Sequence, residues 1–208
     1  MHLVIASRAD PPLPLPRLRI KGALTELHAA ELAFIPEEIA QFIQQIGGLR
    51  LSETDVEELA RRTEGWAAAL QVTALSLKGQ SPDRVDGFIN TFTGGHRHVF
   101  DYLLEEVLNR QPGETREFLL QTSVLDRLSG PLCQAVTGRD DAQTILETLE
   151  AANLFIIPLD DERRWYRYHH LFADFLRRRL HRLQPEIVPQ LYLRASQWYK
   201  AQGMVDEA

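Results

Sequence analysis

The sequence predicts a mainly α fold, interrupted by one β-hairpin and preceded by a short buried strand. Three observations predict it. Apolar residues recur at helical spacing from Pro36 to Leu108. "NLFIIPL" and "RWYRY" flank "DDER", two apolar and aromatic runs around a polar turn, which is a hairpin pattern. "HLVIASR", residues 2–8, begins with the unbroken apolar run Leu3 to Ala6, the pattern of a strand inside a parallel sheet.

The totals bound what such a chain can do. Its 208 residues suffice for one large or two small domains. Apolar residues make up 44% and charged residues 25%, as in ordinary globular proteins. A net charge of −6 argues against a surface built mainly to hold nucleic acid. Cys133 is the single cysteine, which excludes an intrachain disulfide and a Cys-rich zinc site and suits a reducing cytoplasm. No apolar run reaches membrane-spanning length, and the N-terminus lacks a signal-peptide pattern.

The elements follow in order. "ADPPLPLPRLR" carries four prolines and predicts an extended loop. "ALTELHAAELAF" predicts a second short strand and a connector. Pro36 then starts a helix with Ile39, Phe42, Ile43 and Ile46 on one stripe, stopped by Gly47–Gly48. Ser52 caps a second helix with Val56, Leu59 and Ala60 inward. After Gly65, "WAAALQVTALSL" gives a strongly apolar third. Ser81–Pro82 opens a fourth, with Val85, Ile89 and Phe92 inward. A fifth, after Gly94–Gly95, carries Phe100, Leu103, Leu104, Val107 and Leu108. Three further helices are predicted near 112–121, after Pro131 and over Ala142–Ala151, the last capped by Asp140 or Asp141. The hairpin follows, then a helix opened by His169 or His170. Three helices and a hairpin is the winged-helix order. The last stretch is an amphipathic helix with Leu191, Ala195, Trp198 and Tyr199 on its stripe, followed by the first residues of another, the pattern of a helical repeat.

This order of pieces resembles the middle of the large bacterial ATP-dependent LuxR-type activators, the MalT-like branch of the STAND NTPases. The stretches that carry the resemblance are "HLVIASRADPPLPLPRLR", "ELAFIPEEI", "RRTEGWAAALQVTALSL", "FDYLLEEVL", "FLLQTSVLDRLSGPLCQAV", "LEAANLFIIPLDDERRWYRYHHLFADFLRRRL" and "ASQWYKAQG". They span nearly the whole chain. The resemblance implies residues 1–34 as the end of a P-loop NTPase core. It implies 35–110 as a helical lid, 111–183 as a winged-helix domain and 184–208 as the start of a TPR-like sensor superhelix. It implies ATP or ADP with Mg as the bound nucleotide, an unknown inducer for the sensor array, and self-association of the intact protein. It also implies a cytoplasmic location, with no membrane and no direct DNA contact by this part. Neither a G-x-x-x-x-G-K-[ST] motif nor an acidic Walker B strand nor a LuxR-type helix-turn-helix occurs in the sequence. The expectation is therefore an internal fragment of a slow nucleotide switch, not catalytic alone.

The resemblance also assigns candidate nucleotide-binding residues. Arg8 stands at the position of a sensor arginine, at the carboxyl end of a strand, where open α/β sheets bind ligands. A guanidinium there can hold phosphate charge; read alone, Arg8 is an exposed arginine at a loop start. Gly65 and Trp66 lie where related switches carry a Gly-x-Pro whose proline packs on adenine, with Ala67 at the proline position. Trp66 offers an aromatic face there, or packs in the core. His169 and His170 align with the histidine and aspartate of a Met-His-Asp motif, in which the histidine holds the β-phosphate of ADP. The N-terminus of the following helix would favour that anion.

Competing readings of the histidines are weaker. His170 and Asp174 are four apart on a helix, but two ligands make no catalytic zinc site. No nucleophile or partner carboxylate stands at a recognisable spacing for acid–base work. The remaining alternative buries one histidine under the hairpin and solvates the other. Arg177, Arg178, Arg179 and Arg182 match the charge of a helix C-terminus. The alternative function is a DNA-binding winged helix. Its groove-entering helix would be "AQTILETLEA", which has Glu147 and Glu150 and no Lys or Arg, so phosphates would repel it.

Overall fold

Two hydrophobic clusters, joined through one apolar helix, organise the chain in the computed structural model, which describes residues 3–7, 11–78, 88–89, 92 and 97–204. The smaller cluster holds the helical module together. Helix α2 (Pro36–Gly47) buries Ile39 and Ile43, and α3 (Glu53–Thr63) buries Val56 and Leu59. The Ser52 Oγ accepts from the Asp55 N–H at 3.2 Å, the predicted cap. Helix α4 (Ala67–Leu77) is apolar nearly all round, and it faces both cores. Leu70, Ala74 and Leu77 enter the smaller cluster, while Ala69 enters the larger.

The N-terminal expectations are corrected. Residues 3–7 form no strand, and Leu3, Val4 and Ile5 are 69%, 93% and 48% exposed. A strand needs a neighbour for its backbone groups, and among the described residues the only paired strands are those of the hairpin. Residues 23–34 are irregular and likewise hold no strand. The proline-rich stretch does contain a helix, α1 (Leu15–Ile20). Pro14 sits at its N-cap and Pro16 in its first turn, where the missing N–H has no intrahelical role. The fourth predicted helix lies mostly outside the described residues, Val85 included; Ile89 and Phe92 are buried as expected.

The larger cluster begins before residue 111. Helix α5 (Arg97–Tyr102) runs into a π-turn, Leu103–Val107, and a 3₁₀ turn, Leu108–Arg110. One regular helix was expected there. The wider π-turn brings Leu103, Val107 and Leu108 to the same core, because i and i+5 share a side. Helices α6 (Gly113–Thr122), α7 (Gly130–Thr137) and α8 (Ala142–Ala151) follow. Asp141 stands at the α8 N-cap without capping it; its carboxylate instead takes Arg139 at 2.8 Å.

Strands β1 (Ile156–Pro158) and β2 (Tyr166–Tyr168) pair antiparallel, with Ile156 opposite Tyr168. Leu128 adds a bridge to the far edge of Tyr166, exchanging two 2.8 Å hydrogen bonds. Tyr168 is buried, and its hydroxyl meets the Thr122 hydroxyl at 2.7 Å. Helix α9 (His170–Leu183) buries Phe172, Phe175, Leu176 and Leu180. Arg177 leaves the helix axis to reach the Ser123 carbonyl at 2.7 Å and Asp126 at 2.6 Å, so it ties α9 to the α6–α7 loop. Helix α10 (Val188–Ala201) lays Leu191 and Ala195 on the same core, and Arg194 donates to the Val136 carbonyl at 2.9 Å. Residues 205–208, where a further helix was expected to begin, lie outside the described residues.

Candidate functional site

Residues Thr63 to Trp66, the turn between α3 and α4, meet the end of β2 and the start of α9. This turn reverses the chain with two consecutive left-handed residues, Glu64 at φ 49° and Gly65 at φ 70°. Glycine is required at the second. A Cβ on Gly65 would come within 2.5 Å of the Phe34 carbonyl oxygen and 2.6 Å of its nitrogen. Phe34 uses that closeness, donating its N–H to the Gly65 carbonyl at 3.0 Å. Trp66 stands at the N-cap position of α4 and packs edge-on against Phe155 at 4.9 Å and His169 at 5.9 Å, with Tyr102 at 5.6 Å.

His169 is the N-cap of α9 and is 7% exposed. Its Nδ1 accepts from the Leu171 N–H at 3.3 Å, and its Nε2 lies 2.9 Å from the Thr63 carbonyl. A carbonyl only accepts and an amide N–H only donates, so the neutral Nε2–H tautomer satisfies both. His170 is different. Its ring is 56% exposed and stands 3.1 Å from Glu64, while its backbone N–H donates to the same carboxylate at 2.9 Å. Sequence reasoning missed Glu64 and Arg167. Arg167 grips Glu64 with both arms, at 2.9 and 2.6 Å, from 103 residues away. Half-burial works to raise the Glu64 carboxyl, but the Arg167 hydrogen bonds and the His170 N–H outweigh it and hold it at about 2.

The described residues bring Gly65, Trp66, His169 and His170 together at one joint. Arg8 lies outside the described residues. The Trp66 ring is taken by three neighbouring rings, and both His169 nitrogens are engaged within the chain. Only the His170 ring faces open space. It lines a cleft of about 170 Å3 with Arg61, Arg62, Phe92, Leu171 and Asp174. Glu58 holds both arginines there, each at 2.6 Å. Among the described residues no group of three His, Cys, Asp or Glu side chains gathers as a metal site. No described helix is long and apolar enough to cross a membrane.

The neutral state of His169 has a consequence for stability. Burial lowers its pKa from the ordinary 6.5, and the Glu64 carboxylate and Thr63 carbonyl only partly oppose this. The unfolded chain therefore takes up the proton near pH 6.5 and the folded chain only below it. The contribution is complete above pH 6.5 and is lost as pH falls. His169→Asn keeps a capping acceptor but does not titrate. The stability advantage of the wild type over His169→Asn should shrink between about pH 7 and pH 5, by at most about 1.4 kcal/mol per pH unit. Urea titrations at several pH values measure it; a constant difference would show that protonation leaves both partners in place.

Fold and site together define a winged-helix domain with a helical module seated on the N-terminus of its last helix. Residues 104–188 match the MalT winged helix domain. Over most of its length the chain is similar to MalT proteins. It is 39% identical over 176 residues to the HTH-type transcriptional regulator MalT of Vibrio cholerae, covering 85% of this chain and 20% of that protein. It is 35% identical over 209 residues to MalT of Klebsiella pneumoniae, covering 100% of this chain and 23% of that protein. It is also 38% identical over 208 residues to the serine/threonine-protein kinase PknK of Mycobacterium tuberculosis, covering 100% of this chain and 19% of that protein. The chain thus spans about a fifth of the length of these relatives.

Proposed function

We propose that this chain is the central regulatory part of a MalT-like, nucleotide-switched transcriptional activator of the LuxR type. In this reading residues 1–34 end a STAND-type NTPase core, and α10 begins a TPR-like array that receives an inducer. The intact protein is cytoplasmic, binds ATP or ADP with Mg, and self-associates when activated. The winged helix works as an internal packing and switching module. The observation that carries the reading is His169, a neutral imidazole that bonds the Thr63 carbonyl of one module while capping a helix of the other. Such a residue links the positions of the two modules. Differential contacts of this kind are what a ligand must alter to shift a conformational equilibrium.

A nucleotide would meet this site from its open side, at the His170 ring and Arg61, with Arg8 as a further candidate. The phosphate cradle belongs to other parts of a longer protein. The test is binding of fluorescent ADP to a full-length protein carrying this chain and to the 208-residue chain alone. Tight binding is expected only for the former. Equal binding by both would overturn the assignment of this part as an accessory to the site.

The alternative, a DNA-binding winged helix, has a measurable consequence. Glu150 on α8 accepts from the Tyr166 hydroxyl at 3.4 Å and pairs with Arg163 at 3.3 Å, so its charge is used internally. Glu147 is exposed on the same helix, and the hairpin turn carries Asp160, Asp161 and Glu162 against Arg163 and Arg164, which leaves the face net acidic. This face repels a phosphate backbone. The chain should give no sequence-specific duplex binding at physiological salt in an anisotropy titration. Nanomolar, sequence-dependent binding would promote the alternative.

A further inference from the structure

We propose that Glu64 is the positioning residue that fixes how the helical module sits on the winged helix, acting as a charge clasp closed by Arg167 and His170. Apolar contacts cross this interface through Ala69 and Trp66, and one hydrogen bond crosses it from His169 to the Thr63 carbonyl. Trp66 meets Phe155 and His169 edge-on, and ring contacts of this sort tolerate sliding. The Glu64 carboxylate defines one register. Arg167 takes its two oxygens with two parallel arms, a geometry that specifies direction as well as distance. The His170 backbone N–H points at the same carboxylate from the N-terminus of a 14-residue helix.

Each partner is itself held. Arg167 lies on β2, opposite Ile157, and one of its arms also donates to the Tyr168 carbonyl at 3.2 Å. Glu64 is fixed by its left-handed backbone and by Gly65, which is pinned to Phe34. The side chains are only 18% and 28% exposed, so the pair is screened less than a surface ion pair. The carboxylate therefore converts the position of the α3–α4 turn, and of Phe34 behind it, into the position of β2 and α9. The clasp is a property of this chain and does not depend on nucleotide.

The chain offers a clean way to measure it. Cys133 is fully buried, and burial pushes its thiol up to about 12, so it resists labelling. Spin labels placed at Glu57→Cys on α3 and Thr148→Cys on α8, both exposed positions, then report the distance between the modules. With the clasp intact, a single narrow distance peak is expected by pulsed electron paramagnetic resonance. Glu64→Gln and Arg167→Met should each lose that peak, and the double variant should lose no more than either single one. Arg167→Lys keeps the charge but not the two-armed geometry and should fall between. Salt at about 1 M, where screening acts within about 3 Å, should broaden the wild-type peak. Far-UV circular dichroism of all variants should match the wild type. A narrow peak that survives both single substitutions would overturn the proposal, since the apolar contacts and the His169–Thr63 hydrogen bond would then set the register without the clasp. Loss of helical signal in Glu64→Gln would also overturn it, because a clasp between folded modules leaves both folded.

Discussion

Phe175→Ala is expected to destabilise the chain by about 3–5 kcal/mol, the cost of removing a fully buried aromatic ring and leaving a cavity. Phe175 is 0% exposed and lies stacked beside Phe172, with centroids 6.1 Å apart. Phe172 in turn packs against Tyr168 of the hairpin and against Phe155. The cavity would thus open where α9, the hairpin and the interface residues share a core that cannot collapse without moving all three. The melting temperature should fall by roughly 6–20 °C for a chain of this size. A loss within about 0.5 kcal/mol is the range of a surface substitution and would contradict the packing.

Gly65→Ala is expected to cost about 2–4 kcal/mol. Holding alanine at φ 70° costs about 1–3 kcal/mol, and its Cβ would drive into the Phe34 backbone. Relief of that clash requires Phe34 to move, which forfeits its hydrogen bond to Gly65, worth about 1 kcal/mol. The damage should spread through the turn. Hydrogen exchange should speed up at the amides of Phe34 and of Leu171, whose capping acceptor depends on the same joint. A variant as stable as the wild type, with unchanged exchange at Phe34, would mean that the turn accepts a Cβ.

Much of this architecture could be read in the sequence because local rules and tertiary structure agree there. Helix α8 spans the predicted residues, and α2 begins at Pro36 as predicted. The aromatic runs around "DDER" do pair. The failures have physical causes. Prolines mark α1 as a loop only if their place in a first turn is overlooked. The apolar run at Leu3 to Ala6 gives strand propensity but no partner strand. Asp141 has a capping side chain by type, yet Arg139 competes for it more strongly.

The candidate site was legible only in part, for a related reason. A family pattern assigns Gly65, Trp66 and the two histidines, and the structure places these four at one joint. Glu64 and Arg167 were not found. Their partnership spans 103 residues, and neither residue type nor spacing announces it. Even "TEGW" hints only that a helix ends. That Glu64 itself turns left-handed, and so faces β2, emerges from the packing of Phe34 against Gly65.

Reporter transcription without inducer, driven by a full-length protein carrying this chain, tests the central claim most directly. His169→Ala removes the only side chain that bonds Thr63 across the joint while capping α9 among the described residues. It removes one of two hydrogen bonds to the Thr63 carbonyl, which keeps the Trp66 N–H at 2.9 Å, at about 0.5–1.5 kcal/mol. If the joint holds the inactive state, the ratio of inactive to active protein falls roughly two- to 13-fold. Basal output should rise accordingly, with protein levels matched by immunoblot. His170→Ala keeps the backbone bond to Glu64 and loses only an exposed ring, so its output should rise less. Basal output that stays at the wild-type level in His169→Ala, with the protein at normal abundance, would contradict a switching role for this joint and leave His169 a packing residue of the winged helix.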